Sequence, residues 1–377
     1  VPSGAGALPG RRVALRSFEE RCGNGAVTEA GQRDLSRLPY VQRATAGSLA
    51  VLYKLQSAAE GKPVRVTTPD GTLVALAAAE LDAAAPDGLQ RVALVGGLEP
   101  STYYCYSVGD LTNRIGVRTA PLANGSAATR FAVFGDTGGG GAPQAAVRDQ
   151  LASVPFDLLL HTGDIAYDDG SLEQFERTFF GVYADLLRSI PIFPVSGNHE
   201  YRTDTAYPFF EVFALPDNGI PGKAERWYSF DWGDVHFVGL DTEELGTDQV
   251  DWLEHDLSEN QRPWVVAYMH RPPYSSGVHG GSPVVEAAFV PIFERYQVSL
   301  VFAGHDHDYE RTVPINGVTY VVTGGGGKGT RVVGSSWFTV RSESVLHFVA
   351  AEVDGRRLTL RAIDETGREL DSLELSR

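Results

Sequence analysis

The chain has 377 residues, 43% hydrophobic and 21% charged, enough for two soluble domains and unlike a disordered chain. A formal net charge of −16 speaks against nucleic acid or an anionic membrane as a general partner, so affinity for any anion has to come from a local positive site. Two cysteines are too few for a disulfide scaffold or a thiolate zinc site, and no apolar run reaches the length of a membrane span.

Residues 1–38 are rich in Gly, Arg and Glu, with little apolar periodicity, and read as an arm that packs on the rest. The sequence opens on Val1 and its one methionine is Met269, as expected if a signal peptide has been removed; a secreted or periplasmic location follows from that reading. Cys22 and Cys105 are then either two buried thiols or one bridge from the arm to the first domain. Asn124-Gly125-Ser126 is a glycosylation sequon, relevant only in a eukaryotic secretory host.

Residues 39–120 carry short β-prone runs at Leu49–Leu55, Val64–Thr68, Thr72–Leu76, Thr102–Ser107 and Arg114–Thr119. The turn Pro69-Asp70-Gly71 separates two of them, and the spacing predicts an all-β sandwich. After a linker at 121–126 the texture becomes alternating strand and helix, and residues 127–377 read as a layered α/β domain. Strands are predicted at Phe131–Phe134, Phe156–His161, Ile190–Val195, Val235–Leu240, Trp264–Met269 and Val298–Ala303. Helices are predicted at Ala142–Ser153, Leu172–Ser189, Asp248–Glu259 and Pro283–Tyr296, and closing β-hairpins at Leu346–Leu375.

The chemistry lies just beyond the strands. Gly135-Asp136-Thr137-Gly138, Gly163-Asp164-Ile165-Ala166-Tyr167, Gly197-Asn198-His199-Glu200, His270 and Gly304-His305-Asp306-His307 each follow a predicted strand. An isolated Asp after Gly usually makes a turn, and His236 or His347 reads as structural. Five strand ends delivering Asp, Asn or His in one domain should instead converge, because open α/β sheets bind ligands beyond their carboxyl ends. Two carboxylates, an amide, three imidazoles and a phenol form an oxygen and nitrogen set suited to iron, zinc or manganese. The set is too rich for one ion; two ions about 3.5–4 Å apart with a bridging carboxylate would use all seven.

This ordered series resembles the purple acid phosphatases of the metallophosphoesterase superfamily, over about Phe131–Arg311. The Leu98–Tyr106 stretch more weakly resembles a fibronectin type III domain, as in the two-domain members. The resemblance implies that Asp136, Tyr167 and His307 hold ferric iron. It implies further that Asn198, His270 and His305 hold a divalent ion (Zn, Fe or Mn) and that Asp164 bridges the two. Ala267 departs from the Val usual three residues before the strand-end His, a packing position. The charge count agrees: two carboxylates and a phenolate against a ferric–divalent pair leave about two positive charges for phosphate.

The implied reaction is hydrolysis of small phosphomonoesters by metal-activated hydroxide, with His199 and His279 binding phosphate and protonating the leaving group. Competing readings are a phosphodiesterase with two divalent ions on the same fold, and a surface-binding protein with a vestigial metal core. Gly324–Gly327 reads as a flexible loop near the site, Gly138–Gly141 as the place for close backbone approach, and His161 and Asp308–Arg311 as supports for the ligands. The physiological ester, the second metal, the pH optimum and the oligomeric state are not legible in the sequence.

Overall fold

The structure is a computed structural model that describes residues 13–125 and 127–377. The first twelve residues of the expected arm, and Ser126 of the linker and sequon, lie outside the described residues. The described part of the arm is ordered structure. Helix α1 (Val13–Cys22) buries Ala14, Leu15, Phe18 and Cys22 on one face, α2 (Glu29–Asp34) follows, and strand β1 already starts at Leu35 (Leu35–Gln42). The apolar stripe of α1 is short and set among charges, so it is weak as a sequence signal.

Seven further strands follow: β2 (Leu49–Leu55), β3 (Val64–Thr67), β4 (Leu73–Ala77), β5 (Glu80–Leu81), β6 (Gln90–Val95), β7 (Tyr103–Val108) and β8 (Ile115–Arg118). They form two four-stranded antiparallel sheets, β1-β2-β6-β5 and β4-β3-β7-β8. Cys22 of α1 is disulfide-bonded to Cys105 of β7 across 83 residues, which excludes the alternative of two free thiols. Such a link constrains the unfolded chain and belongs to oxidising compartments.

The α/β region begins with β9 (Thr129–Phe134), α3 (Ala142–Leu151), β10 (Leu158–His161), α4 (Leu172–Gln174), a π-helical segment (Phe175–Phe180), α5 (Gly181–Leu187), β11 (Ile192–Pro194) and α6 (Tyr207–Val212). It continues through β12 (Tyr228–Trp232), β13 (Val235–Gly239), α7 (Thr247–Glu259), β14 (Trp264–Met269), α8 (Pro283–Arg295), β15 (Leu300–Ala303), β16 (Tyr309–Thr312) and β17 (Thr319–Thr323). The last strands are β18 (Thr339–Glu343), β19 (His347–Asp354), β20 (Arg357–Asp364) and β21 (Glu369–Ser376).

Two mixed sheets result, ordered β11-β10-β9-β19-β20-β21 and β12-β13-β14-β15-β17-β16-β18. Their parallel strands are buried along their whole length in β10, β13, β14 and β15 and are apolar apart from His161 and His236, as expected for strands covered on both faces. Phe131 of β9 meets Phe237 of β13 and Phe302 of β15 edge-on, at 5.1 and 6.4 Å, so the sheets pack face to face. The tail forms the expected hairpins, and β19 pairs directly with β9, which makes the C-terminus part of the first sheet.

The N-terminal sandwich is bonded to this core. Tyr40 donates to the Val212 carbonyl at 2.6 Å, Tyr106 to the Arg188 carbonyl at 2.6 Å, and Arg118 pairs with Asp157 at 3.0 Å.

His236 fastens α7 to the second sheet. Its Nδ1 lies 2.8 Å from Asp231 on the paired strand β12, and its Nε2 lies 2.8 Å from Asp256 of α7. Burial disfavours the imidazolium, but the two carboxylates outweigh burial and raise its pKa to about 9. Against an ordinary value of 6.5 this is a stabilising contribution on the order of 3 kcal/mol. It is complete below about pH 6.5 and lost as the pH rises through about 9. We predict that His236→Asn lowers unfolding stability by that order at pH 6 and by much less at pH 9.5. Denaturant melts at the two pH values check it, and a pH-independent difference would refute the charged-histidine account.

Candidate metal centre

The carboxyl ends of β9, β10 and β11 in one sheet and of β14 and β15 in the other point to the same place, so residues far apart in sequence meet. Asp136 follows β9, Asp164 follows β10, Asn198 follows β11, His270 follows β14, and His305 and His307 follow β15. Asp136, Asp164 and His305 adopt left-handed backbone, with φ of 56°, 53° and 71°. That conformation costs about 1–3 kcal/mol per residue and persists where surrounding structure enforces it. Two glycines are needed for space: a Cβ on Gly197 would collide with Asp164 Oδ1, and one on Gly304 with Asp136 Oδ2.

The seven expected ligands fall into two groups that share Asp164. In the first, the Tyr167 hydroxyl lies 2.9 Å from Asp164 Oδ2, 3.1 Å from Asp136 Oδ1 and 3.3 Å from His307 Nε2. In the second, His270 Nε2 lies 3.1 Å from Asn198 Oδ1, 3.2 Å from His305 Nδ1 and 3.4 Å from Asp164 Oδ1. Asp136, Asp164 and His270 offer ligand atoms within 4.8 Å of one another, and all three are buried.

The donor set fits cations better than it fits itself. One phenolic proton faces two carboxylates and an imidazole nitrogen. His270 Nδ1 donates to the Thr162 carbonyl at 2.9 Å, which leaves Nε2 as a lone pair turned toward a carboxylate and an amide oxygen. The electrostatics agree. Burial opposes the charged form of His270, but Asp164 and Asp136 outweigh it and raise its pKa. Burial and the same two carboxylates push the Tyr167 phenol well above its ordinary value, so ionising it requires a strong positive charge nearby. The residues present therefore suit the binuclear set expected from the sequence.

The two expected acid–base histidines differ in setting. His199 donates its backbone N–H to Asp164 Oδ1 at 2.9 Å, and its Nδ1 meets the Asp168 carbonyl. Its Nε2 is 3.7 Å from Asp164 Oδ2 and its ring packs on Tyr167 at 4.1 Å. Burial holds its pKa below the ordinary value despite Asp164. His279 is exposed; its ring stacks on His305 at 4.3 Å, and its backbone N–H donates to Asp306 at 2.9 Å. Desolvation and Arg331 lower its pKa. His161, expected as a support, is buried against Thr137 Oγ1 at 3.0 Å, and burial lowers its pKa to about 3.

The Asp308–Arg311 stretch supports other parts of the structure than expected. Glu310 accepts from Ser276, and Arg311 and Tyr309 bind Asp371 of β21. The Gly324–Gly327 run is not loose: Gly326 N–H donates to the Gly135 carbonyl at 2.9 Å.

Sequence reasoning assigned no role to three contributors. Arg271, next to His270, binds Glu243 through two bonds and places Nη1 3.2 Å from His305 Nε2. Lys328 lies 4.5 Å over the Tyr167 ring. The third, Glu200, closes the Asn-His-Glu motif. Its Oε2 accepts from Asp164 N–H (2.9 Å) and Gly197 N–H (2.8 Å), and its Oε1 from Ile165 N–H (2.9 Å) and Ala166 N–H (3.1 Å). A carboxylate three residues after a glycine that must turn sharply was the available signal.

The fold and site together define a calcineurin-like metallophosphoesterase core. A sequence profile of the family described as Calcineurin-like phosphoesterase matches residues 129–309. Purple acid phosphatase 21 of Arabidopsis thaliana is 33% identical over 257 residues, covering 62% of this chain and 57% of that protein. A second Arabidopsis relative, named Probable inactive purple acid phosphatase 1, is 27% identical over 304 residues, covering 64% of this chain and 49% of its own length. The chain thus spans about half the length of the curated relatives it matches. The purple acid phosphatase PPD1 of yellow lupin seeds has a similar fold, with TM-score 0.77 at 21% identity, over 90% of this chain and 74% of that one. Over this α/β region the chain is similar to calcineurin-like phosphoesterases and to purple acid phosphatases, with N-terminal β-sheets before it.

Glu200→Gln replaces an acceptor with an NH2 group facing backbone N–H donors. We predict a loss of about 2–4 kcal/mol in stability, from two donors left unmet, and metal binding weaker by about 10–100-fold, the usual effect of losing a support behind a ligand. Thermal melts and metal titration check it, and unchanged metal affinity would refute the role given to Glu200.

Proposed function

We propose that this protein hydrolyses small phosphomonoesters at a binuclear centre. Asp136, Tyr167 and His307 would hold ferric iron; Asn198, His270 and His305 would hold a divalent ion (Zn, Fe or Mn), with Asp164 common to both. The observation that carries the reading is the Tyr167 hydroxyl, buried within 3.3 Å of Asp136, Asp164 and His307 together. A phenolate is a hard donor suited to a trivalent ion, and a site for two divalent ions has no need of it. When bound, the metal pair supplies a nucleophile at mild pH and neutralises the phosphoryl oxygens.

The remaining work falls to side chains. His199 is anchored at Nδ1 by the Asp168 carbonyl and at its backbone by Asp164, so its Nε2 is turned toward the cluster. From there it can deliver a proton to the leaving alkoxide when protonated, which favours acid pH. His279, stacked on His305 beside Arg331, is better suited to contacting phosphate than to donating a proton. The disulfide fits an oxidising compartment, in keeping with secretion or a periplasmic location.

Purified protein is expected to contain two metal ions per chain, one of them iron, and to be purple or pink. Tyr167→Phe should lose the colour, and Asp164→Ala should lose metal and hydrolysis together. Elemental analysis, a visible spectrum and assays on mono- and diester substrates check this. A colourless, fully loaded protein with two divalent ions and a preference for diesters would replace the reading with the phosphodiesterase one. Metal bound without any hydrolysis would favour a vestigial core.

A further inference from the structure

The segment from Gly324 to Arg331 is sewn along the metal-ligand turns. Besides the bond from Gly326, Lys328 N–H donates to the Asp136 carbonyl at 2.9 Å and Arg331 N–H to the His307 carbonyl at 2.9 Å. The approach is close enough that a Cβ on Gly326 would run into the Gly135 carbonyl. The loop therefore holds Lys328 and Arg331 at fixed places beside the centre.

The cations there are not equivalent. Lys328 Nζ is bound to Asp168 at 2.7 Å, and Arg271 is bound to Glu243 through two bonds. Arg331 forms no ion pair among the described residues. Its Nη1 meets Nε2 of His279, whose ring stacks on His305 with centroids 4.3 Å apart and planes at 25°. The guanidinium is thus one imidazole away from a metal ligand. The nearby carboxyl of Asp308 makes no hydrogen bond to it: its oxygens are buried without a partner, and burial raises its pKa to about 8. Among the described residues no carboxylate takes up the guanidinium, and His279 is its one side-chain partner. In a protein of net charge −16, a fixed guanidinium at this point is suited to phosphate, whose oxygens match its planar fork.

We propose that Arg331 is a substrate-contacting residue: its guanidinium, oriented by His279, donates hydrogen bonds to a phosphoryl oxygen of the ester and to the inorganic phosphate product. This rests on the phosphatase reading above. The test uses the full, metal-loaded chain and two variants, Arg331→Met and Arg331→Lys, with metal content matched by elemental analysis. Inorganic phosphate binding is measured by titration calorimetry, beside KM, kcat and competitive inhibition by phosphate.

Arg331→Met is expected to weaken phosphate binding about tenfold or more, the usual scale for a charge-assisted hydrogen bond. KM should rise in parallel. Lysine, which keeps the charge but not the fork, should fall between. Where methionine disturbs metal loading, Arg331→Gln is read in its place. Phosphate affinity and KM within about twofold of wild type at equal metal content would overturn the assignment while leaving the phosphatase reading intact. A loaded wild-type protein that neither binds phosphate nor turns over esters would overturn both.

Discussion

One buried carboxylate, that of Glu200, determines whether the site can exist. Four backbone N–H groups from the turns after β10 and β11 converge on it, and they include that of Asp164. Without such an acceptor these amides would be buried and unmet, and the turn would have no reason to hold Asp164 in left-handed backbone. Burial, followed by repulsion from Asp164, raises the Glu200 pKa to about 8. Carboxylates thus crowd this region even before the phenol is considered. The turn geometry and the need for positive charge have the same origin.

The rest of the architecture brings other strand ends to that point. Asp136, Asp164, Tyr167 and Asn198 come from one sheet, and His270, His305 and His307 from the other. The site therefore depends on face-to-face packing through Phe131, Phe237 and Phe302, and a shift between sheets would separate the two ligand groups. The pairing of β19 with β9 and the Glu310 and Arg311 contacts fix the same layer from behind. The N-terminal sandwich, tied through Tyr40, Tyr106 and Arg118, adds a lateral brace.

Whatever was written locally was legible. The run Trp264–Met269 reads as a buried strand and is one; the helix predicted at Pro283–Tyr296 spans Pro283–Arg295. The glycine-flanked Asp, Asn and His residues could be placed at strand ends because a sharp turn after a buried strand has a short-range sequence signature. What depends on distant partners was not legible. β12 and β18 are mixed in composition and are strands because β13 and β16 offer them edges. The insertion of β19 beside β9 is a pairing across more than 200 residues. The glycine run at 324–327 reads as a flexible loop in isolation, since what holds it is distant: Gly326 bonds to the carbonyl of Gly135, and Lys328 just after the run to that of Asp136. For the same reason Arg331 carries no mark in the sequence of its place beside His279.

Metal uptake and order at the site should be linked. Asp136 and Asp164 are almost fully buried, and the Tyr167 hydroxyl shares their space with a single proton. Burying carboxylates beside one another is unfavourable unless charge compensates. The nearby compensators are limited: Lys328 is engaged by Asp168, Arg271 by Glu243, Arg331 stands beyond the ring of His279, and His270 can take up one proton. Cations bound at the two ligand groups would relieve this repulsion, and they would also ionise Tyr167 against the burial that raises its pKa. The free energy of metal binding would then include relief of this repulsion. On this argument the acidic surface does not oppose phosphate binding. Negative charge is concentrated among the ligand groups, and cations bound there would turn that place into a local positive point able to attract an anion.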